Sequence, residues 1–453
     1  MEELPNGFTG FANRKRTPGF ESAGDAMRRS RSTIANGIQA PKGEFQYPID
    51  LKSEDSDSEH VVKPYGEDEL KSIGPRDRRW AWVEIDQAAI RHNTLEAKRH
   101  LSRGCRLMAV VKADGYGHGA VACAKASLSA GADYLGVATV QEALELRTAG
   151  LRAPLMLLAQ PPETAIPLLL EYQVMPAIYD PSFAVAYGEA ADLHGMVAPY
   201  HLAVNTGMNR IGVRYDDAVE FLRQVNFHRG IELAGVFTHF ATADCPEAFD
   251  FDIQARRFVE AVSSIRQAGI NPGIVHAANS AALFRYPEVH FDMARLGISL
   301  YGFHPCPETR RSINLRPAMS VHARITDTRF VPMSEGVSYG LHYRSPGSVK
   351  ICTIPLGYAD GYRRGLSGNI DVVYGGRYHR QVGNICMDQC MFEVDMRSYA
   401  TRERIDPQVG DEVIIVGRQG GAEVTIDEMS DKLGTIQHEI AIGFSHRLPR
   451  IFV

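Results

Sequence analysis

The stretch "LMAVVKADGYGHGA", Leu107–Ala120, decides how the chain is read. Its first five residues, Leu107 to Val111, form an unbroken apolar run of the length and composition of a buried strand. A lysine, Lys112, follows at once, and then glycines, a tyrosine and a histidine. A lysine is seldom buried unless something is bonded to it, so an amine at the mouth of a buried strand calls for a partner.

Similar short runs recur on the C-terminal side. They are "YLGVA" from Tyr134, "PLMLLA" from Pro154, "MPAIY" from Met175, "YHLAV" from Tyr200, "LAGVFTHF" from Leu233, "GIVHAA" from Gly273 and "FDMARLGISL" from Phe291. With the opening run they make eight candidate strands, each preceded by a segment able to hold a crossover helix. Eight such units in roughly 200 residues predict a (β/α)8 barrel. An open doubly wound sheet is the alternative, but the glycine fingerprint of its dinucleotide-binding form is missing. Upstream, "WAWVEI" from Trp80 alternates like a strand, and Asp86 stands as N-cap to a helical stretch. Beyond about residue 315 short alternating and β-branched runs take over ("SVHARITDTRFV", "VKICTIPLG", "NIDVVYGG", "DEVIIVG"), predicting a mainly β second domain. The division is thus 1–78, 79–315 and 316–453, with the strand at 80–85 free to join the β domain. Residues 1–78 carry basic clusters and then the acidic "SEDSDSEH", with poor apolar periodicity, and read as a disordered arm. Organelle targeting is a weaker reading of it.

Composition narrows the class. With 453 residues, 44% hydrophobic and 23% charged, the chain is an ordinary globular one, and its net charge of −5 argues against broad nucleic-acid binding. Seven cysteines without a C-x-x-C pair imply reduced thiols, and no spacing, Cys386 and Cys390 included, implies a metal site. No run approaches the roughly 20 apolar residues of a membrane span, and no signal-peptide core is evident. The expectation is a soluble, cytoplasmic protein.

In a barrel the chemistry gathers at the C-terminal ends of the strands. Lys112 follows strand one, "NTGMNR" (Asn205–Arg210) strand five, and His239 ends strand six. Asn279 and Ser280 follow strand seven, and Arg295, Gly297 and Ile298 belong to strand eight and its exit. Loops after strands seven and eight often bind phosphate through backbone N–H groups. A lysine facing a phosphate site is the layout expected of pyridoxal phosphate (PLP), whose aldehyde the amine bonds. On this reading Gly115 and Gly117 clear room for the cofactor while Tyr116 reaches its phosphate.

"AVVKADGYGHG" closely resembles the PLP-lysine motif of bacterial alanine racemases. The resemblance runs on through "NTGMNRIG", "GVFTHFATAD", "HAANSAALFRYP", "ARLGISLYG", "VSYG" and "NICMDQ" to "RLPRIF", from about residue 79 to 453. It implies a barrel, a β domain and a head-to-tail homodimer with shared active sites. It makes Lys112 cofactor anchor and one catalytic base, and Tyr339, from the partner chain, the opposite base. Two bases on opposite faces suit a reaction that removes a proton on one side and returns it on the other. A phenol with a pKa of about 10 is a poor base unaided, and His239 and Arg295 are implied to polarise its surroundings. Arg295 is also implied to face the pyridine nitrogen and, being unable to give up a proton, to leave it unprotonated. The resemblance further implies that Arg210 and Met387, the latter from the partner chain, place the substrate carboxylate, while Tyr116, Asn279, Ser280, Gly297 and Ile298 hold the cofactor. Asn205, Cys386 and Asp388 support these groups from behind. His201, His276 and His290 read as structural.

Two positions depart from the family. The C-terminal segment of many members carries a tyrosine that touches the phosphate, and "GFSHRLPRIF" has His446 in that place. Seven residues before Arg210, where some members carry a carbamate-modified lysine, stands Ala203. The expected activity is racemisation of alanine, feeding D-alanine to cell-wall synthesis, with a serine or broad-specificity racemase as the alternative. A PLP decarboxylase, a non-catalytic PLP carrier and a cofactor-free Schiff-base aldolase are the more distant rivals.

Overall fold

A computed structural model describes residues 73–225, 229–396 and 406–453. Most of the expected arm therefore lies outside the described residues. Its last part forms the short helix Pro75–Arg78, and Arg76 pairs with Glu84 at 2.6 Å.

The eight expected strands all form. They are β2 (Arg106–Val110), β3 (Tyr134–Val137), β4 (Leu155–Leu157), β5 (Met175–Ile178), β6 (Ala198–Asn205), β8 (Ile231–Phe237), β9 (Ile274–His276) and β10 (Met293–Leu296), with the two-residue β7 (Val213–Arg214) appended to β6. Pairing runs in parallel through β5-β4-β3-β2-β10-β9-β8-β6 and closes when Ala177 and Ile178 of β5 meet His201 and Leu202 of β6. A closed cylinder leaves no free edge, and the helices between strands cover its outside, which is why the strands read as continuous apolar runs. In β2 only Arg106 is exposed.

The strand β1 (Ala81–Ile85) stands outside this cylinder. It pairs antiparallel with β11 (Met319–Arg324) and parallel with β21 (Arg450–Phe452) at the C-terminus. Asp86 caps the next helix, Gln87–His100, by accepting the Ala89 N–H at 3.0 Å, as its sequence predicts. The ten-stranded β sheet contains β1, β11, β12 (Asp327–Phe330), β15 (Val349–Ile354), β16 (Asp371–Tyr374), β17 (Arg377–Val382), β18 (Cys390–Asp395), β19 (Glu412–Gln419), β20 (Ala422–Val424) and β21. A small hairpin, β13 (Gly336–Val337) with β14 (Tyr343–Arg344), stands apart and brackets Tyr339. One apolar core runs from the barrel into the sheet.

Two helices went unread in the sequence: Ile426–Leu433 and Gln437–Gly443. The first did carry a signal, Thr425 three residues ahead of Glu428, and the Thr425 hydroxyl does accept the Glu428 N–H. The second packs over the barrel mouth.

Candidate active site

A cavity of about 260 Å³ opens where the barrel strands end, lined by Lys112, Tyr116, Arg210, His239 and Arg295 among others. The Lys112 amine has neither hydrogen bond nor ion pair to any described residue. Burial, then the positive charge of Arg210, presses its pKa below the usual lysine range, with Glu142 opposing. Both effects enlarge the neutral, nucleophilic fraction of the amine.

What aims Lys112 is an unusual backbone. Ala113, Asp114, Gly115 and Tyr116 take φ values of 51°, 51°, 60° and 53°, a single left-handed turn. For residues with a Cβ that conformation costs about 1–2 kcal/mol each, so the surroundings must hold it. The Ala113 N–H donates to Glu142 Oε1 at 2.8 Å, while Glu142 Oε2 accepts the Ala138 and Thr139 N–H groups at 2.8 and 3.2 Å. Asp114 Oδ1 accepts the Ala120 N–H at 2.8 Å. Glu142 thus bolts the lysine turn to the next strand. Glu142→Ala should lower stability by about 3 kcal/mol, since three N–H donors lose a charged acceptor. Urea denaturation reads this, and an unchanged midpoint contradicts it.

The glycines here do a different job from the one read in sequence. A Cβ on Gly117 would lie 2.7 Å from the Ala441 carbonyl oxygen, and one on Gly115 3.3 Å from the Ala120 backbone. They make room for the chain itself, Gly117 for the helix Gln437–Gly443. The glycine beside the Tyr116 and Ser280 hydroxyls is Gly297. A Cβ there would sit 3.1 Å from Tyr116 Oη and 3.7 Å from Ser280 Oγ. Its N–H donates to Ser280 Oγ at 2.9 Å, and the 3₁₀ turn Ile298–Tyr301 starts beside it. Tyr116, Ser280, Gly297 and Ile298 therefore gather in one place. Asn279 does not join them. Its Oδ1 caps the helix Ser280–Arg285 through the Ala282 N–H at 3.0 Å, and its Nδ2 donates to the Phe240 carbonyl, so its part is to set Ser280.

Arg295 is 3% exposed, yet no carboxylate among the described residues bonds it. Burial and then Arg210 lower its pKa to about 9, which still leaves it a cation at neutral pH. It donates to the Thr238 and Ala277 carbonyls at 2.7 and 2.8 Å and to Nδ1 of His276 and His239 at 2.9 and 3.2 Å. Its Nε–H has no acceptor among the described residues. His239 is pushed down to about 3 by burial, then by Arg295, Arg210 and Lys112. His201 reaches about 3 and His118 about 4, chiefly by burial, and His276 also falls well below its usual value. Folded, these imidazoles stay neutral; unfolded, they protonate below about pH 6.5. The unfolded chain then binds more protons, so stability should fall as pH drops from about 6.5 toward 4, by up to about 1.4 kcal/mol per pH unit for each histidine. A denaturant midpoint that stays level between pH 7 and 5 contradicts this.

Arg210 is exposed and bonded to no described residue. Asn205 organises its loop: Oδ1 accepts the Gly207 and Asn209 N–H groups at 3.1 and 3.0 Å. Tyr339 and Met387 do not line the cavity of their own chain and are 75% and 54% exposed. They are nonetheless tied together. Asn384 Nδ2 donates to the Tyr339 carbonyl at 2.7 Å, Ser338 Oγ to the Asn384 carbonyl at 2.7 Å, and Cys386 Sγ lies 3.5 Å from Ser338 Oγ. Asp388 anchors the loop to Arg447 at 2.6 Å.

His446 is the misplaced residue. It is exposed and lines a separate hollow with Asp114, Lys125 and Glu145. Nearer the cavity stands His438, on the helix Gln437–Gly443, beside Tyr116. Its ring lies 5.6 Å from that of Tyr116, its Nδ1 is buried without a partner, and burial and then the Lys112 charge lower its pKa.

These groups fit PLP. An unpaired amine can take the aldehyde, a cradle of hydroxyls and backbone N–H groups the phosphate, and an N–H of a buried cation the ring nitrogen. Barrel, β domain and this donor set together define a PLP enzyme of the barrel type. Residues 85–305 match the family model of the alanine racemase N-terminal domain, and residues 318–452 that of its C-terminal domain. The chain belongs to the alanine racemase family. It is 41% identical to the alanine racemase of a Synechocystis species over 83% of this chain and all of that one. It is 40% identical to that of Desulfovibrio desulfuricans, over 83% and 98%. Among solved structures, the Bacillus anthracis alanine racemase with bound L-Ala-P superposes with a TM-score of 0.76 at 36% identity, covering 83% of this chain and 95% of that one. A histidine racemase from Leuconostoc mesenteroides gives 0.75 at 30% identity, covering 84% and 99%.

Proposed function

We propose that the protein interconverts L- and D-alanine as a PLP-dependent homodimer, with Lys112 and the partner subunit's Tyr339 as the two bases. The observation that carries this is a mismatch within one chain. Among the described residues Lys112 stands unpaired in the cavity, while Tyr339, its carbonyl held by Asn384, is exposed and does not line that cavity. A second copy placed head to tail supplies each with the other.

Bound PLP supplies an electron sink that acidifies the α-proton of the amino acid. The chain does the rest. Lys112 Nζ, kept partly neutral by burial and Arg210, takes or returns the proton on one face, and Tyr339 Oη does so on the other. Arg295 presents its N–H to the ring, Tyr116, Ser280, Gly297 and Ile298 receive the phosphate, and Arg210 with Met387 of the partner subunit receives the carboxylate. His438 takes the phosphate-side position first read for His446.

The proposal extends to a cytoplasmic location and to D-alanine supply for cell-wall synthesis. Among the described residues no helix is long and apolar enough to cross a membrane. It also divides the chain into an arm (1–78), a barrel (79–315) and a β domain (316–453), with the strand at 80–85 in the β domain on the strength of its pairing with β11 and β21. The alanine racemase relatives favour alanine over a serine or broad preference, whereas the histidine racemase likeness keeps side-chain choice worth measuring. In a racemisation panel over amino acids, alanine should turn over fastest. Turnover of alanine far below that of another amino acid would overturn the substrate, and a monomer in solution with full activity would overturn the shared site.

A further inference from the structure

We infer that His276 and His201 are positioning residues for Arg295, an ordered pair of neutral imidazoles that fixes the guanidinium without cancelling its charge. This rests on the PLP reading above and deepens it.

A buried cation is ordinarily met by a carboxylate. Arg295 is met by two carbonyl oxygens and two imidazole nitrogens. Because a guanidinium only donates, the Nδ1 atoms of His276 and His239 must accept, so each ring carries its proton on Nε2. His276 Nε2 lies 3.0 Å from His201 Nδ1 and therefore donates to it, which puts the His201 proton on Nε2 as well. One donor at the cavity thus sets the tautomer of His239 on one side and of the row His276–His201 on the other. The low pKa values keep the row uncharged.

The barrel is built around this row. The residues stand on separate strands: His201 on β6, His276 on β9, Arg295 on β10. A Cβ on Gly235 of β8 would lie 2.4 Å from His201 Nδ1, so the glycine makes the space that the ring fills. Phe237, also on β8, stacks on His276 with centroids 5.1 Å apart and planes 13° apart, and its ring lies 5.6 Å from Arg295 Cζ. The charged groups that bear on the row are Arg295, Arg210 and Lys112, all cationic. A carboxylate in place of His276 would hold the guanidinium as firmly but neutralise it. The imidazole holds it and leaves its field acting on the cavity, which disfavours a proton on a ring nitrogen placed there.

The test uses nitrogen NMR on two samples. In the ¹⁵N-histidine-labelled protein near pH 7, His201, His276 and His239 should each be neutral with the proton on Nε2; an Nδ1-protonated or charged His276 overturns the inference. In holoenzyme made with PLP labelled at its ring nitrogen, the parent and His276→Asn, whose amide oxygen can still accept, should keep that nitrogen unprotonated. His276→Asp should raise its protonation constant at least about tenfold, one pKa unit. An unaltered constant in His276→Asp overturns the inference. A parent that binds no labelled PLP overturns the cofactor reading instead, so the two failures are distinguishable.

Discussion

Lys112→Ala protein will purify without the visible absorption of bound cofactor, and its alanine racemisation will fall by about 10⁴-fold or more. The size follows from two losses at once. The chain loses the amine that anchors PLP, and it loses the proton carrier on one face, an effect of itself worth about 10²–10⁴-fold. The structure leaves no substitute. Of the other groups in the cavity, Arg210 and Arg295 are cations with no free base, His239 offers its Nδ1 to Arg295, and burial pushes the Tyr116 phenol up to about 12. A Lys112→Ala protein that retains full racemisation refutes the mechanism. Folding will not confuse the result, because Lys112 makes no bond whose loss would destabilise the turn; Glu142, Asp114 and the Val111 carbonyl hold that.

The second large effect is recovery of activity on mixing two dead proteins. Tyr339→Phe removes the only ionisable hydrogen of that side chain and should cost about 10²–10⁴-fold in racemisation, with PLP binding and absorption kept. When Lys112→Ala and Tyr339→Phe chains are unfolded together and refolded, mixed dimers form. In a mixed dimer with shared sites, one site collects both defects and the other collects neither. Random pairing then returns about a quarter of the parent activity. If each site were built from one chain, mixing would return none, and the head-to-tail arrangement would fall.

How far the sequence revealed this molecule depended on whether the signal was local. The barrel strands were legible because a strand covered on both faces must be a continuous apolar run, and Leu107–Val111 is one. Lys112, His239 and Arg295 were legible because they interrupt or end such runs, where a packed barrel has no use for a polar group. The left-handed turn from Ala113 to Tyr116 was not. Nothing in an alanine or a tyrosine asks for positive φ, and the Glu142 carboxylate that holds the turn lies far along the chain. Gly115 and Gly117 were seen, but their neighbours, Ala120 and Ala441, are set by tertiary packing.

His438 was missed for the same reason. It lies on a short helix, Gln437–Gly443, with no distinctive local pattern, and its ring finds Tyr116 only when that helix crosses the barrel mouth. His446 stands out in the sequence because it adjoins the recognisable "RLPRIF". There the Arg450 guanidinium bonds the carbonyls of Phe444, Ser445 and Leu448, and the folded segment turns His446 toward another hollow. His201 and His276, read as ordinary buried histidines, are indeed buried; what the sequence hid was that they stand in line with Arg295.

The claim on which the rest stands is that Lys112 Nζ bonds the cofactor aldehyde. Treatment of the holoenzyme with borohydride, proteolysis and mass spectrometry tests it directly. A phosphopyridoxyl group on the peptide that contains Lys112, and on no other lysine, is the predicted result. A label on a different lysine, or none on a protein that racemises alanine, contradicts the account.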